Sequence, residues 1–231
     1  MGKFFLNILI IILFASCHYK KGSGNIISEK RNVSSFHGIN VSQGVEVELK
    51  IAAEKSVTIE ADDNFIEDIK TRVSDGVLNI SVDEDDINNA HLKAFITCPA
   101  VDVLKASSAA IIHSNSTLNN AAETTLETSS GSSISVIINS PSVQIKTSSG
   151  SKITVKGRSR DLNAKASSGS SVNAAELFTE NAITTASSGS TINIYASVSI
   201  NASASSGASI HYKGGATVTK SISSGGEVSK F

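Results

Sequence analysis

The amino-acid sequence predicts an all-β protein in which short strands coil into a parallel β-solenoid. The main observation is a repeat: the triplet Ser-Ser-Gly recurs, and a degenerate copy, Ser107-Ser108-Ala109, precedes the others. Successive copies are 22, 19, 19, 20, 18 and 18 residues apart, and a period of this length is typical of solenoids. We therefore expect rungs of about 18–22 residues. The triplets end at Gly131, Gly150, Gly169, Gly189, Gly207 and Gly225.

The second observation is the alternation of apolar and polar residues around each triplet. The third residue after the glycine is aliphatic and β-branched in every copy, as in Ile153 and Val172, whereas the next residue is polar, as in Thr154 and Asn173. Because successive side chains of a strand point to opposite faces, odd offsets from the glycine are predicted to face a core and even offsets to face solvent. One rung cannot bury such a face alone, but stacked rungs can.

The triplet is predicted to be architectural. By the same period of two, its second serine is expected to point inward, where only a small side chain fits, and the glycine allows a bend. Further turns are expected at NSP (139–141), KGRSR (156–160) and YKGG (212–215). The inward positions of the last repeat hold Lys220 and Lys230, which predicts a charged cap against further strand pairing.

Composition and charge exclude one class of function and support the fold. The chain of 231 residues carries 20 Lys and Arg against 21 Asp and Glu, so no basic surface predicts a nucleic-acid partner. It has no Trp and only 2 Pro, and small and β-branched residues, which favour strands and turns, dominate. The strict apolar period argues against disorder despite the many serines and alanines.

The N-terminus has the pattern of a targeting segment. Lys3 precedes the apolar run FFLNILIIILF, which FASC follows, and this arrangement is typical of a signal peptide. Residues 1–16 resemble a bacterial lipoprotein signal, with Cys17 as the lipid attachment site. An ordinary secretory signal, or a membrane anchor with an incidental cysteine, is the alternative. Residues 17–32 are predicted to be a flexible tether, because HYKKGSGN shows no apolar period.

A lipid at Cys17 predicts that the membrane is one partner of the protein. It places the protein in the bacterial cell envelope, on the outer membrane, with the leaflet, the exposed side and the oligomeric state left open. The other cysteine, Cys98, lies in the apolar run AFITC and is predicted to be an inert core residue.

Residues 33–104 follow a different pattern from the repeats at 105–231. They are predicted to be an N-terminal β region, ahead of the Ser-Ser-Gly solenoid. Whether this region continues the solenoid or is separate from it stays open. Alternation predicts strands at VEVELKI (45–51), SVTIEA (56–61), DIKTRV (68–73) and GVLNISV (76–82), with a turn at Asp75-Gly76.

The same region carries three motifs in a fixed order, F-H-G-I-N (36–40), V-T-I-E-A-D-D-N (57–64) and D-G-V-L-N-I (75–80). Together with the rungs that follow, they resemble the family of auto-transporter adhesins with a "head GIN" domain. The resemblance covers nearly the whole chain after the signal. It implies a right-handed parallel β-helix in a bacterial envelope protein with an adhesive role, and it implies no catalytic or binding residues.

No residues in the sequence predict an enzyme, a cofactor or a metal site. From residue 105 onward Asp161 is the only aspartate and the glutamates are scattered, whereas a polysaccharide-active enzyme, which is the remaining alternative, needs paired carboxylates. Ser149 and Lys152 fit the S-x-x-K pattern, but that motif requires a helix start. The acidic run 83–86 lacks the spacing of a calcium loop. The histidines show no ligand spacing; they include His37, His91, His113 and His211.

A polar outer face is the best candidate for a binding surface. Stacked rungs are expected to align amides, hydroxyls and ammonium groups in outward columns, which suits many weak contacts with a glycan or a protein. We therefore predict an adhesin or binding module. The alternatives are a purely structural element of the envelope and a polar face that only contacts water. The columns are Gln144, Asn163 and Asn201, then Thr154, Asn173 and Asn193, then Lys146 and Lys165.

Overall fold

A computed structural model describes residues 19–83 and 87–231 of the chain. In these residues the protein consists of strands, turns and bends without a helix. No helix long and apolar enough to cross a bilayer is therefore found in the described part. The predicted signal peptide at 1–16, the predicted lipid site Cys17 and residues 84–86 of the acidic run lie outside the described residues.

The strands of the described residues are numbered in chain order. The first nine are β1 (Lys20–Lys21), β2 (Ile26–Lys30), β3 (Gly38–Val41), β4 (Glu46–Ile51), β5 (Ser56–Asp62), β6 (Ile69–Ser74), β7 (Val77–Val82), β8 (Ile87–Asn88) and β9 (Leu92–Cys98). The others are β10 (Val103–Ala106), β11 (Ile111–Asn119), β12 (Glu123–Thr128), β13 (Ser133–Thr147), β14 (Lys152–Ala166), β15 (Ser171–Ala186), β16 (Thr191–Ala204), β17 (Ser209–Lys213), β18 (Thr217–Ile222) and β19 (Glu227–Lys230).

Parallel pairing arranges these strands in two ladders. Each rung contributes one strand to each ladder, and a turn connects the two strands of a rung. The pre-turn ladder contains the strands that lead into the Ser-Ser-Gly turns, together with β7, β3 and β10, on which they stack. Its order is β7, β3, β10, β12, the C-terminal halves of β13 to β16, and β18. The post-turn ladder runs β9, β4, β11, the N-terminal halves of β13 to β16, β17 and β19. This rung-on-rung pairing confirms the predicted parallel β-solenoid.

The N-terminal β region is continuous with the repeats. Val103–Ala106 pairs with Gly38–Val41, and Ile111–His113 pairs with Glu46–Glu48, so both ladders run from one region into the other. Antiparallel strands close this end of the solenoid, with β6 on β7 in one ladder and β5 and then β2 beyond β9 in the other.

The core follows the predicted alternation in the inner rungs. Ile153 and Val172 are fully buried, while their neighbours Thr154 and Asn173 are half-buried and exposed. Burial of each such aliphatic side chain contributes about 1.5–3 kcal/mol to the free energy of unfolding. The assignment of odd offsets to the core is therefore confirmed here, and the apolar columns explain why these sequences form stacked strands.

The expectation for the second serine of the triplet is wrong. Ser149 is exposed, and it adopts φ 54° beside Gly150 at φ 69°, the pair of left-handed residues that a type I′ turn requires. The turn interrupts the period of two, so parity cannot be counted through it. The small inward residue is the one after the glycine: Ser132 is buried, and its hydroxyl donates to the Ala106 carbonyl at 2.7 Å.

Backbone hydrogen bonds connect each turn to the next. The N–H of Gly131 donates to the carbonyl of Ser149, and the N–H of Gly150 donates to the carbonyl of Ser168, each at 3.0 Å. The same bond joins Gly44 to Ser108 at 2.9 Å, because Gln43 and Gly44 form an earlier left-handed turn that the sequence pattern did not reveal. The turns thus form a hydrogen-bonded edge along the solenoid.

The flexible tether predicted at 17–32 is a second correction, because paired strands begin at Lys20. Strand β1 pairs with β8, and β2 pairs antiparallel with β5. Lys20 also forms an ion pair with Asp68. Hydrogen bonds and an ion pair to residues distant in sequence hold this segment. Because such contacts need no apolar period, the local sequence pattern could not predict them.

Two of the expected turns are also corrected. Strands β13 and β14 continue through NSP (139–141) and KGRSR (156–160), so the chain bends there without leaving the ladder. Gly157 makes this possible: at φ 114° it packs so closely that a Cβ would lie 2.1 Å from the Ile138 carbonyl oxygen. The third expected turn, YKGG (212–215), does separate β17 from β18.

The last rung carries the two lysines predicted to face inward. Lys220 pairs in register with Ala202 of the rung before it, and it is exposed because β18 is the outermost strand of its ladder in the described residues. Its ammonium group donates to the Val228 carbonyl at 2.9 Å and lies 5.4 Å from the centre of the Tyr212 ring. Lys230 pairs with Tyr212 in the other ladder, so both lysines lie at the C-terminal end of the core.

Candidate functional site

The eight residues of the predicted polar face lie on both ladders and not on one surface. Gln144, Lys146, Asn163, Lys165 and Asn201 belong to the pre-turn ladder. The others, Thr154, Asn173 and Asn193, align in one column of the post-turn ladder. Because the chain reverses at the Ser-Ser-Gly turn while both ladders bury their odd offsets in the same core, the two groups face away from each other.

The amide column of the pre-turn ladder is interrupted. Gln144 pairs with Asn163, but Ile183 stands between Asn163 and Asn201, with 55% of its surface exposed. An exposed isoleucine in this place divides the column into a polar part and a mixed part. The uniform row of amides expected from the sequence is therefore shorter than predicted.

The lysine column beside it is longer than predicted. Lys146 and Lys165 pair in register, and the column continues through Glu127, Lys105 and Asn40 into the N-terminal β region. The carboxylate of Glu127 forms ion pairs with the ammonium groups of Lys105 and Lys146, with N–O distances of 3.0 Å and 3.6 Å. Within the described residues Lys165 has no ion-pair partner. The uncompensated positive charge of the column therefore lies at its Lys165 end.

These residues line a shallow groove of ≈ 500 Å³ between the lysine column and the Ser-Ser-Gly turns. We call it the lysine groove. It exists because small side chains such as Thr147 and Ala166 occupy the last inward position before each turn, and because Ser148 and Ser167 form its other side. Its ammonium and hydroxyl groups are suited to hydrogen bonds with hydroxyl or anionic groups of a ligand.

A second groove lies on the opposite edge of the rungs, where the post-turn strand bends into the next pre-turn strand. In register with one another, Asn139, Arg158, Phe178 and Tyr195 form its outer column. The rings of Phe178 and Tyr195 meet edge to face with centroids 5.1 Å apart, and 53% of Phe178 is exposed. The space has a volume of ≈ 590 Å³. We call it the arginine–aromatic groove.

Sequence reasoning missed this second groove because it assigned residues 156–160 to a simple turn. A signal was present, since Phe178 and Tyr195 are aromatic residues at the same place in successive rungs of a chain with only 3 Tyr and 8 Phe. Their alignment could not be counted from the glycines, however, because the register shifts between Ala174 and Phe178.

Two histidines outside the grooves are paired with carboxylates. His37 binds Asp102 at 2.7 Å, and His91 binds Glu60 at 2.8 Å. In the part of the chain that the structure describes, no three His, Cys, Asp or Glu side chains come together as they would around a metal ion. Burial raises the pKa of the Cys98 thiol to about 11, so Cys98 is protonated and unreactive at neutral pH.

Asp161, the one aspartate after residue 105, and the S-x-x-K pattern at 149–152 both have structural surroundings in the described residues. The hydrogen bond from Arg160 and then that from Asn181 lower the pKa of Asp161, which keeps this carboxylate ionised as an ion-pair partner. Ser149 lies in an exposed turn, and Lys152 begins strand β14, so the S-x-x-K pattern lacks the helix that its chemistry requires.

One known protein family matches this chain over most of its length. The family model described as "Putative auto-transporter adhesin, head GIN domain" matches residues 35–216. The chain belongs to this head GIN adhesin family. The match spans the N-terminal β region and nearly all the rungs, which confirms the resemblance seen in the sequence motifs. The family and the Bacteroides fragilis structure described below carry the description of adhesins and not of enzymes, and an adhesin is a bacterial surface or envelope protein.

Solved structures share the fold of this head GIN protein. A protein described as a putative adhesin from Bacteroides fragilis superposes with a TM-score of 0.82 at 18% identity, covering 92% of this chain and 100% of the other. One from Parabacteroides distasonis, also described as a putative adhesin, gives 0.74 at 17% identity with the same coverage. A protein from P. distasonis described as a putative lipid binding protein gives 0.68 at 19% identity, covering 92% and 99%. A search of curated proteins found no match.

Proposed function

We propose that this head GIN protein is a lipid-anchored binding module of the bacterial cell envelope, which attaches to glycan or protein ligands through the outer columns of its solenoid. The observation that carries the proposal is the lysine groove, in which Lys105, Glu127, Lys146 and Lys165 align in register over successive rungs. A rigid row of polar groups at strand spacing supports many weak contacts, and these add up when the ligand is repetitive or the protein is dense on a surface.

The membrane attachment in this proposal is a lipid on Cys17 in the outer membrane. It is supported by the lipoprotein-like signal and by the family description as an adhesin. Because β1 begins at Lys20, only two residues lie between Cys17 and the first strand, and the three steps from Cys17 to Lys20 span at most about 11 Å. The N-terminal end of the solenoid would then lie next to the membrane surface, with the grooves further along its axis.

Membrane fractionation of cells that produce wild type or Cys17→Ser tests the anchor. We expect wild type in the outer-membrane fraction and the variant in the soluble fraction, because the lipid is the only attachment that this proposal invokes. Added protease on intact cells then reports whether the body faces outward. A Cys17→Ser protein that stays in the membrane and is processed as efficiently as wild type would contradict lipid anchoring.

Adhesion of protein-coated beads to glycan and protein surfaces tests the binding role. We expect beads coated with wild type to adhere, and beads coated with the double variant Lys146→Gln/Lys165→Gln to adhere less, at an unchanged melting temperature. Lys152→Gln on the other ladder is the matched control. If wild-type beads adhere to none of the surfaces, the protein is the structural element of the envelope that the sequence left as the alternative.

A further inference from the structure

The arginine–aromatic groove combines two kinds of chemistry within one column. Adjacent rungs of a sheet are about 4.8 Å apart, so Asn139, Arg158, Phe178 and Tyr195 present an amide, a guanidinium and two aromatic rings over about 14 Å. This length suits a short run of linked small units and exceeds what a single small ion would fill.

Arg158 is free to bind a ligand. Its side chain has no hydrogen-bond or ion-pair partner within residues 19–83 and 87–231, whereas the neighbouring Arg160 donates to Asp161 at 2.8 Å. The free guanidinium presents a planar fork of N–H donors that matches the two oxygens of a carboxylate. Charge complementarity therefore favours a ligand with a carboxylate at this point.

Phe178 and Tyr195 favour a ligand with a flat apolar face. Phe178 remains 53% exposed although its edge-to-face contact with Tyr195 holds it in one place. The negative face of an aromatic ring attracts the positively polarised C–H groups on the apolar side of a sugar ring. The tyrosine also offers a hydroxyl group that can donate and accept.

The hydroxyl groups on the floor of the groove shape it without being available to a ligand. Ser140 and Thr179 are buried and already donate to backbone carbonyls, Ser140 to Ala122 and Thr179 to Tyr195, at 2.5 Å each. Glu180 also lines the groove, where its charge interacts with that of Arg160. Because its side chain makes no hydrogen bond within the described residues, its carboxylate can accept from sugar hydroxyls. It also repels a carboxylate, so the acid group is confined to the side of Arg158.

Taken together, we infer that the arginine–aromatic groove binds a carbohydrate that contains a hexuronic acid, with the carboxylate on Arg158 and a sugar ring stacked on Phe178. The site deepens the proposed function, on which it rests, by naming the class of ligand and a second surface. A neutral glycan would leave Arg158 unpaired, and an acidic peptide would not use the exposed ring.

Calorimetric titration with an oligomer of galacturonic acid and with its methyl ester isolates the carboxylate, since the ester keeps the sugar rings and removes the charge. Full-length protein in detergent is used at neutral pH and low salt. We expect the acid form to bind about tenfold or more tightly than the ester, as is typical of a charge-assisted hydrogen-bonded pair. High salt should reduce that difference.

Three variants assign the contacts. Arg158→Gln should bring the affinity for the acid down to that for the ester, Phe178→Ala should weaken both forms, and Arg158→Lys should retain part of the preference. Because these side chains are exposed, the melting temperatures should be unchanged. Lys152→Gln, an exposed lysine outside both grooves, is the control and should bind as wild type does.

Several results would overturn the inference. They are failure of wild type to bind the acid oligomer, equal affinity for acid and ester, and equally tight, Arg158-dependent binding of polyglutamate. A loss of binding in the lysine-groove variant Lys146→Gln/Lys165→Gln but not in Arg158→Gln would overturn it as well. Bead adhesion distinguishes failure of this inference from failure of the proposed function. If the beads still adhere in any of these cases, the binding role stands and the binding surface lies outside the arginine–aromatic groove.

Discussion

The carboxylate of Asp62 accepts a hydrogen bond from the backbone N–H of Gly24, with Oδ1 and N 2.6 Å apart. Its other oxygen accepts from the N–H of His91 at 2.7 Å, and Asp62 is only 2% exposed. Gly22 lies so close that a Cβ there would be 2.5 Å from the same carboxylate. One side chain of the A-D-D-N motif thus fastens the segment after the predicted anchor to the solenoid.

Asp62→Ala should therefore loosen the N-terminal segment. The change leaves two backbone N–H groups without an acceptor, which should lower the free energy of unfolding by about 1.5–3 kcal/mol. Thermal melting measures the loss, and hydrogen exchange should become faster over residues 20–30. The control is Asp63→Ala, which removes exposed bonds to Ser23 and Asn25 and should have a smaller effect. Unchanged exchange in Asp62→Ala would contradict the role of this carboxylate.

Ile153→Asp and Thr154→Asp compare the two sides of one strand. Ile153 is fully buried, so a carboxylate there has no partner and should destabilise the protein by several kcal/mol, on the order of 3–5. Thr154 faces outward, and the same change there should cost less than about 1 kcal/mol. Thermal melts of both variants measure the difference. The reverse order would mean that the faces are inverted.

Deletion of one whole rung should be tolerated. Removing residues 151–169 joins Gly150 to Ser170 and restores Ser-Ser-Gly-Ser, and the N–H of Gly150 can then donate to Ser188 in place of Ser168. Since rungs interact mainly with their neighbours, we expect a folded protein with one cooperative melt at a lower temperature by circular dichroism.

A deletion of residues 151–159 is the control for rung deletion. It removes about half a rung and an odd number of residues, so the inward and outward positions exchange and the columns mismatch. This variant should be unfolded or aggregated. If both deletions damage the protein equally, its rungs are not modular.

Lys220→Ile combined with Lys230→Val should promote association through the C-terminal end. Strands β18 and β19 are the last of their ladders in the structure, and inward-edge charge opposes the addition of further strands. Light scattering should show a larger mass for this variant than for wild type. The same exchanges at Lys146 and Lys165 on the flank are the control and should not produce end-to-end contact, as measured by cross-linking. An unchanged mass would exclude the capping role.

The fold could be read from the sequence wherever strands repeat without interruption. Ile153 and Thr154 follow the period of two, and their burial agrees with it. The prediction failed at Ser149 because a type I′ turn breaks the alternation, and a count of residues carries no information on φ. It failed for residues 20–30 because Asp62, Asn64 and Asn88, which hold that segment by hydrogen bonds, are distant in sequence.

Less of the candidate site was accessible from the sequence. Lys146 and Lys165 could be aligned because each follows the triplet spacing without a gap. The extension of their column through Lys105 to Asn40 could not, since it depends on how the N-terminal β region joins the rungs. The arginine–aromatic groove lies where rung lengths differ, so alignment on glycine misplaces Arg158 relative to Phe178.

The bonds between successive turns, such as Gly131 to Ser149, have a mechanical consequence. These hydrogen bonds run along the axis of the solenoid. A force between an N-terminal attachment and a ligand on the flank therefore pulls successive rungs apart along the direction of the bonds, and does not slide the strands past each other. Bonds loaded in this way can open one rung at a time. Only rungs between the attachment and the bound ligand carry the force, and a ligand held beside Phe178 would leave the rungs after Gly207 unloaded.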